Sequence, residues 1–313
     1  MGTPDFAVGT LEKLIQTGHD VCLAVTQPDK PKGRGKEMQF PPVKEAAIRH
    51  KIPVYQPVRV RKPECVEELR KYQADVIVVV AFGQILPKDI LEMTPYGCIN
   101  VHASLLPKYR GAAPIQWAVI NGERESGITT MMMDEGIDTG DMLEKRVIVL
   151  DEKETGGSLF DRLSLLGGEL ILSTLEKLEA GTLPRTPQNH QEATYVKKIP
   201  KSLGEIDWSM DATAIERLIR GLNPWPSAYT WLNGKMLKLW AADVLPEGGK
   251  ENRISGETSE EVKEYSAGDK RQKNVGVIVA ALPAGLQIQT GNGILNITSL
   301  QLEGKKRMDT GAF

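Results

Sequence analysis

The sequence predicts an α/β protein whose first domain is a doubly wound, mostly parallel, Rossmann-like sheet, followed by a small C-terminal β-barrel of OB type. Three observations predict this fold. Short apolar runs alternate with amphipathic helical patterns through residues 1–180, which is typical of βαβ units. The unbroken apolar run at 76–80 indicates a strand that is buried on both faces. After residue 207 short alternating strands follow, and the hairpin dipeptide Asn233-Gly234 separates two of them.

The elements of the first domain, residues 1–180, follow from this alternation. A helical pattern through Val8, Leu11 and Leu14 begins directly after a turn that contains glycine and proline. Further helices are expected at 43–51, 64–72, 87–93, 114–120 and 158–180, and strands at 21–26, 52–55, 75–81, 128–134 and 142–149. No strand pattern precedes the first helix, although the first strand of a doubly wound sheet is central. We therefore expect that a few residues before Met1 are missing.

A linker is predicted at 181–206, because prolines and a glycine interrupt a stretch with few large apolar residues. The second domain, 207–313, is expected to begin with a helix at 211–221. Strands at 227–231, 236–241, 275–281, 286–289 and 294–302 would form a partly open antiparallel barrel. Residues 246–273 contain 7 acidic and 6 basic side chains without an apolar period, so a polar surface loop is expected there.

Composition and charge exclude several classes of protein. With 313 residues, of which 41% are hydrophobic, the chain can bury two substantial cores. The formal net charge of −2 argues against a protein that coats nucleic acid without specificity. Three cysteines without a C-x-x-C pair favour a reducing compartment and predict no metal site. No apolar run has membrane length, and we expect a soluble cytoplasmic protein that is a monomer.

A local basic patch lies near the N-terminus. Residues 1–62 contain 11 Lys and Arg against 6 Asp and Glu, and the excess is densest at Lys30, Lys32, Arg34 and Lys36. A flexible loop with clustered cations and two glycines can bind phosphates. A solvated surface without a ligand is the alternative, and it is the commoner outcome for a run of charges.

Three polar residues form the candidate catalytic set. The strand that ends at His102 alternates with a period of two, so Asn100 and His102 project from the same face. Asp138 follows 36 residues after His102, between Gly136 and Gly140. This set suits attack on a carbonyl carbon, because an amide and an imidazolium can hold an oxyanion. The carboxylate can stabilise the imidazolium and take part in proton transfer. A histidine with a structural role only is the alternative.

Other chemistries find less support in the sequence. Gly33-Arg34-Gly35 lacks the third glycine of a dinucleotide-binding fingerprint, and no Walker pattern is present. The candidate for a covalent nucleophile near the set is Ser104, but Leu105-Leu106-Pro107 after it gives no nucleophile elbow. Direct transfer from donor to acceptor is therefore favoured over a covalent intermediate.

Asn100-x-His102, the following Ser104-Leu105-Leu106-Pro107 and the distant Asp138 resemble the catalytic signature of the folate-dependent formyltransferases. The resemblance extends over nearly the whole chain. Five further segments narrow the resemblance to the members that act on charged initiator tRNA: Gly2-Thr3-Pro4-Asp5-Phe6-Ala7, Gln27-Pro28-Asp29, Gly33-Arg34-Gly35-Lys36, Arg110-Gly111-Ala112-Ala113-Pro114-Ile115-Gln116-Trp117 and Asn223-Pro224-Trp225-Pro226.

The resemblance implies roles for individual residues. Asn100 and His102 would polarise the formyl oxygen of 10-formyltetrahydrofolate, and Asp138 would take part in proton transfer. The folate would bind beside three segments, with the contacts Phe82, Gly83, Gln84, Ile85, Leu86, Ser104, Leu105, Leu106, Pro107, Ile137 and Asp141. The loop with Lys30, Lys32, Arg34 and Lys36 would reach the acceptor end of the tRNA, and the OB-like domain would add contacts to the tRNA backbone.

Two other functions remain open at this stage. A formyltransferase for a sugar or purine-precursor amine would share the Asn-x-His and Asp residues. A non-catalytic tRNA-binding protein would share the basic loop and the second domain. Relatives usually continue beyond Phe313, so trimming is expected at the C-terminal end as well.

Overall fold

The computed structural model describes residues 1–32, 37–246 and 275–313, which form two compact units. The first contains 1–118, 123–152 and 158–198, and the second contains 119–122, 153–157 and the described residues from 199 onward. The linker expected at 181–206 is thus divided between the units at residue 198. The reason is hydrogen bonding, because Thr186 and Met142 exchange backbone bonds and residues 195–196 pair with residues 110–111.

The first unit has the alternation that the sequence predicts. Its helices are α1 (Asp5–Gln16), α2 (Pro42–Arg49), α3 (Pro63–Arg70), α4 (Lys88–Leu91), α5 (Pro114–Ile120) and α6 (Gly156–Glu179). Its strands are β1 (Ala24–Val25), β2 (Lys30–Lys32), β3 (Glu37–Gln39), β4 (Val54–Tyr55), β5 (Ile77–Val79), β6 (Cys98–His102), β7 (Arg110–Gly111), β8 (Glu125–Met132), β9 (Met142–Val149) and β10 (Tyr195–Val196). β1, β4 and β5 are shorter than predicted, β8 begins three residues earlier, and β2, β3, β7 and β10 lie outside the predicted strands.

The main sheet of the first unit has the strand order β5-β6-β8-β9. β5 and β6 are parallel, as are β1 and β4, whereas β8 runs antiparallel to both β6 and β9. The predicted α/β class with a parallel sheet is confirmed, and an antiparallel pair extends that sheet. β6 is therefore central, with all five of its residues buried.

The polypeptide around residues 1 and 2 lies between two strand edges. Gly2 donates its backbone N–H to Val25, and Val80 donates to the Met1 carbonyl. A cavity of about 690 Å³ opens between these edges, lined by residues of β1, β5 and α1. It involves none of the three candidate catalytic residues.

Helices cover both faces of the β5–β6 region. The residues of α3 and α4 pack with β5 in one apolar cluster, which includes Cys98 on β6. On the other face α6 lies directly against β6. A Cβ added to Gly167 would meet Val101 Cγ1 at 2.9 Å, so glycine permits this close approach. Of the β6 side chains, Val101 therefore points towards α6, and the alternating set with Asn100 and His102 points away from it.

The second unit is a small antiparallel β structure with one α-helix. It contains α7 (Ala212–Gly221) and strands β11 (Ala228–Leu232), β12 (Lys235–Leu245), β13 (Ile278–Leu282), β14 (Gly285–Gln289), β15 (Ile294–Leu302) and β16 (Met308–Asp309). The strand order is β11-β12-β15-β14-β13, with β16 on β15. The hairpin prediction is correct, since Asn233 and Gly234 both have positive φ, 49° and 76°, as a type I′ turn requires. Apart from Pro246, the expected polar loop at 246–273 lies outside the described residues.

Candidate active site

The strand β6 places the first two candidate residues. Asn100 pairs with Val79 on one side and with Met131 on the other, and His102 pairs with Thr129. The backbone of both residues is thus fixed by neighbouring strands, and their side chains are largely buried, with His102 only 6% exposed. Because β5 and β6 are parallel, the segment after β5 leaves the sheet at the same edge as His102.

The loop between β8 and β9 brings Asp138 to these two side chains. Asn100 Nδ2 donates to Asp138 Oδ1 at 3.4 Å, and His102 Nδ1 lies 3.8 Å from Asp138 Oδ2. The same Oδ2 accepts the backbone N–H of Gly111 at 2.8 Å. The structure therefore joins an amide, an imidazole and a carboxylate from two separate segments.

The contact of His102 Nε2 with a backbone oxygen shows which ring nitrogen carries a hydrogen there. His102 Nε2 lies 3.0 Å from the backbone oxygen of Tyr109. Because a carbonyl oxygen only accepts, Nε2 carries a hydrogen in this contact. The other nitrogen, Nδ1, faces Asp138. When protonated, it presents an N–H towards the space beside Asn100 and Asp138.

Hydrogen bonds within the loop that carries Asp138 stabilise its conformation. Asp134 Oδ1 accepts the Gly136 N–H at 3.0 Å and the Thr139 hydroxyl at 2.6 Å. A Cβ on Gly140 would lie 1.9 Å from the Met132 carbonyl oxygen, so no other residue fits there without movement. Asp138 itself has φ of +53°, which is costly for a residue other than glycine and indicates a firmly determined loop.

A second segment, which the sequence analysis placed in a linker, also reaches this loop. Gln188 Nε2 donates to the carbonyl oxygens of Asp138 and Gly140, at 2.9 and 2.7 Å. Its Oε1 accepts from the buried guanidinium of Arg110. Arg110 belonged to a motif of the resemblance without any assigned role, and nothing local in the sequence singles out Gln188.

The residues expected to contact folate differ in how far they are buried. Phe82, Leu86, Leu106 and Ser104 are buried in the protein interior, whereas Ile85 and Ile137 are exposed by 76% and 59%. Gln84 is held by bonds to Val60 and Pro57. Gly83 is exposed, and Leu105, Pro107 and Asp141 are partly accessible. The exposed isoleucines are the apolar side chains available to a flat ligand, and the buried residues support the segments that carry them.

The serine and the buried cysteine of this region are not presented as nucleophiles. Ser104 Oγ donates to the Lys108 carbonyl at 2.7 Å, and the serine is buried. Burial raises the pKa of the Cys98 thiol to about 12, so the thiolate is scarce at neutral pH. The geometry therefore agrees with direct attack on a donor rather than with a covalent enzyme intermediate.

Part of the basic loop belongs to the residues that the structure describes. Lys30 lies in β2, which pairs with β3, whereas Arg34 and Lys36 lie outside the described residues, and of Lys32 only the backbone is placed. Asp29, at the base of this hairpin, bonds to Gln56 at 2.8 Å and to Lys44 at 2.6 Å. The Gln56 amide, followed by Lys44, holds the pKa of the Asp29 carboxyl below its ordinary value.

The described residues contain neither a metal-binding cluster nor a membrane-spanning helix. No group of three or more His, Cys, Asp or Glu side chains there is arranged to hold a metal ion. Within the same ranges, none of the helices has the length and apolar character needed to cross a bilayer.

Comparison with known proteins adds independent evidence over the full chain. The family model for formyl transferase matches residues 1–175, and that for the formyl transferase C-terminal domain matches 198–313. The methionyl-tRNA formyltransferase of Agathobacter rectalis is 58% identical over 313 residues, which is 100% of this chain and 94% of the relative. The enzyme of the same name from Clostridioides difficile is 49% identical, with the same coverage.

Solved structures share the fold at lower identity. An N-formyltransferase from Helicobacter canadensis, in complex with folinic acid and dTDP-3-aminofucose, has a TM-score of 0.63 and 19% identity, over 95% of this chain and 96% of that one. HypX from Aquifex aeolicus, in complex with tetrahydrofolic acid, has a TM-score of 0.56 and 21% identity, over 85% of this chain. The match spans 43% of the length of HypX. Because two family models cover most of the sequence and relatives are similar along all of it, the chain belongs to the formyl transferase family.

Proposed function

We propose that this protein transfers the formyl group of 10-formyltetrahydrofolate to the α-amine of methionine on charged initiator tRNA. The observation that carries the proposal is the cluster of Asn100, His102 and Asp138, with the carboxylate 3.4 Å from the amide and 3.8 Å from the imidazole. The named relatives, similar over the whole chain, support this acceptor. The reaction takes place in the cytoplasm, where initiator tRNA is charged.

The first step is attack of the amine nitrogen on the formyl carbon. A new C–N bond forms, and the electron pair of the C=O bond moves to the formyl oxygen. The Asn100 amide and a protonated His102 Nδ1 hold this oxyanion, because both donors point into the same space. One donor of this kind contributes about 10²–10³ in rate. The tetrahedral intermediate thus forms between two substrates and involves no bond to the protein.

The second step breaks the bond between the formyl carbon and N10 of the folate. The oxyanion re-forms the C=O bond, and the amine loses a proton while N10 gains one. As a carboxylate, Asp138 stabilises the imidazolium beside it while the oxyanion forms. It then accepts the proton of the attacking amine, directly or through a water molecule, and passes this proton to N10. The Gly111 N–H on Oδ2 keeps the carboxylate turned towards His102. The products are N-formyl-methionyl-tRNA and tetrahydrofolate.

Substrate binding is assigned to residues around the cluster. Ile85 and Ile137 contact the pterin ring, supported by the segments at 82–86, 104–107 and 137–141. Lys30, Lys32, Arg34 and Lys36 contact phosphates near the acceptor end of the tRNA. The second unit adds contacts to the tRNA backbone. Trp225 and Trp231, both exposed there, offer surfaces on which bases or sugars can stack.

Transfer of labelled formyl groups tests the proposal. The purified protein is incubated with 10-formyltetrahydrofolate labelled in the formyl carbon and with charged initiator tRNA, charged elongator methionine tRNA, or an amino-sugar nucleotide. We expect label on the initiator tRNA at a rate at least about 10²-fold above the other acceptors, as a site that requires several contacts would give. Faster transfer to the amino sugar would replace the proposal by sugar formylation. If no acceptor is labelled and tRNA still binds, the protein is a tRNA-binding protein.

A further inference from the structure

Arg110 is a fully buried cation that neutral groups hold in place. Its side chain is 0% exposed. Its Nε and Nη2 donate to Gln188 Oε1 at 3.0 and 2.7 Å, and its Nη1 donates to the Tyr195 hydroxyl at 2.9 Å. Nη1 also lies 3.2 Å from His190 Nδ1, which must act as the acceptor because a guanidinium has no lone pair to offer. Arg110 therefore fixes three side chains of one segment.

The orientation of the Gln188 amide follows from Arg110. Because the guanidinium can bond only to oxygen, Nε2 of Gln188 must point the other way. There it donates one hydrogen to the Asp138 carbonyl and one to the Gly140 carbonyl, at 2.9 and 2.7 Å. Gln188 is buried, and its amide uses both hydrogens and both lone pairs. The amide thus links the cation on one side to the backbone of the catalytic loop on the other.

We propose that Arg110 and Gln188 form a positioning pair that sets the place of the Asp138 carboxylate. The inference rests on the proposed function, because it assigns the pair to that reaction. Asp138 adopts a positive φ of 53°, a conformation that persists only where surrounding contacts fix it. Gln188 fixes it by holding the carbonyls of Asp138 and Gly140 together. The carboxylate then meets the Gly111 N–H and the Asn100 amide.

Arg110 is also linked to the Asp138 carboxylate through the residue that follows it in the chain. Gly111, which donates to Asp138 Oδ2 at 2.8 Å, is the next residue after Arg110. Arg110 therefore acts on the Asp138 backbone through Gln188, while the Gly111 N–H bonds directly to the Asp138 side chain. β7 holds both residues in place, since the pairs Tyr195 with Arg110 and Val196 with Gly111 are in register. A shift of the pair would displace the carboxylate from His102.

The variant Gln188→Glu separates positioning from general stability. It replaces one NH2 group by oxygen at nearly constant volume. The new carboxylate keeps Arg110 as a partner and adds an ion pair. Its second oxygen, however, faces the carbonyl oxygens of Asp138 and Gly140, and the two donors to the loop are lost. If the pair only stabilises the fold, this change lowers the melting temperature and leaves kcat of the folded protein intact, whereas a positioning pair loses kcat.

We expect kcat for formyl transfer to fall about 10²-fold in Gln188→Glu, since small misplacements of a reacting group have effects of this size. The KM for charged tRNA should change less than about 3-fold, because the loop that Gln188 holds is not among the residues assigned to tRNA. The melting temperature should stay within about 4 °C of the original protein. Gln191→Glu is the matched control, with the same charge change at an exposed position of the same segment. It should keep the original kcat.

Hydrogen exchange of the backbone amides at 136–141 gives a readout that needs no substrate. Exchange should become faster in Gln188→Glu and in Arg110→Lys, which keeps the charge but loses the planar fork, and should be unchanged in Gln191→Glu. Original kcat in Gln188→Glu, or unchanged exchange, would overturn the proposal. If both variants lack a cooperative unfolding transition, they have no stable fold. The pair then serves stability alone, and the proposal is also overturned. A failure of the proposed function looks different, because the unmodified protein and Gln191→Glu would then fail to formylate tRNA as well.

Discussion

Replacement of Asp138 by asparagine gives the sharpest test of the site. The carboxylate accepts from the Asn100 amide at one oxygen and from the Gly111 N–H at the other. Asparagine of the same shape offers one acceptor and one NH2 group, so one of these two donors must face another donor. The variant also removes the negative charge 3.8 Å from His102 Nδ1. Both effects act on the chemical step.

The distance sets the expected size of the charge effect. Two unit charges 3.8 Å apart attract by about 4 kcal/mol at an effective dielectric constant of about 20. Because this attraction supports the imidazolium that holds the oxyanion, its loss lowers the rate about 10³-fold. The Gly111 N–H, left without its charged acceptor, lowers the free energy of unfolding by about 1–3 kcal/mol.

Single-turnover transfer of labelled formyl groups measures the rate, and chemical denaturation measures the free energy of unfolding. We expect a loss of about 10³-fold in the rate for Asp138→Asn, with the KM for folate changed less than about 3-fold. Glu135→Gln makes the same charge change in the same loop at an exposed position and should have no effect. A rate within about 10-fold of the original would show that Asp138 does not support the charge on His102, and it would refute this reasoning.

Three further predictions concern other parts of the chain. Arg34→Ala should raise the KM for charged tRNA without altering the KM for folate, because a phosphate contact is lost; equal changes in both would contradict the assigned role. Cys98, whose pKa burial raises to about 12, should resist maleimide labelling at pH 8 until the protein unfolds, as mass spectrometry of labelled peptides will show. Glu144 is partly buried, which would raise its pKa, but bonds from Lys177, Thr174 and Ser173 outweigh burial and lower it. Its stabilising effect is therefore present above the pKa of the unfolded state and is lost as the pH falls through the lower, folded value. Glu144→Gln should lower the free energy of unfolding at pH 7 by about 1–3 kcal/mol and flatten its decrease between about pH 5 and pH 3, as urea titrations at several pH values will measure.

The secondary structure was predictable because it depends on short-range periodicity. The predicted helix at 114–120 and the predicted strands at 142–149 and 294–302 coincide with α5, β9 and β15. In each case apolar residues recur with the period of the element, and glycine, proline or polar residues mark its ends. The direction of β8 was not predictable in this way, since a strand has the same period in parallel and antiparallel sheets.

The candidate site was partly predictable for the same reason. Asn100 and His102 share a face because they are two residues apart on one strand, which the sequence alone determined. Asp138 entered through its motif and the resemblance to formyltransferases, and only the structure showed its oxygens beside both side chains. The tautomer of His102 depends on the Tyr109 carbonyl, which comes from a loop whose path no local pattern reveals.

The sequence by itself determined the α/β class, most of the helices and strands, and the strand face that carries the amide and the imidazole. Only the tertiary structure decided that residues 186–196 return to the first unit and hold the loop that carries Asp138. Arg110 and Gln188 are 78 residues apart, and Gln188 lies in a proline-containing segment without helical or strand periodicity. Contacts of this kind depend on where the folded chain brings backbone carbonyls and buried charges together. Local residue patterns do not indicate these positions.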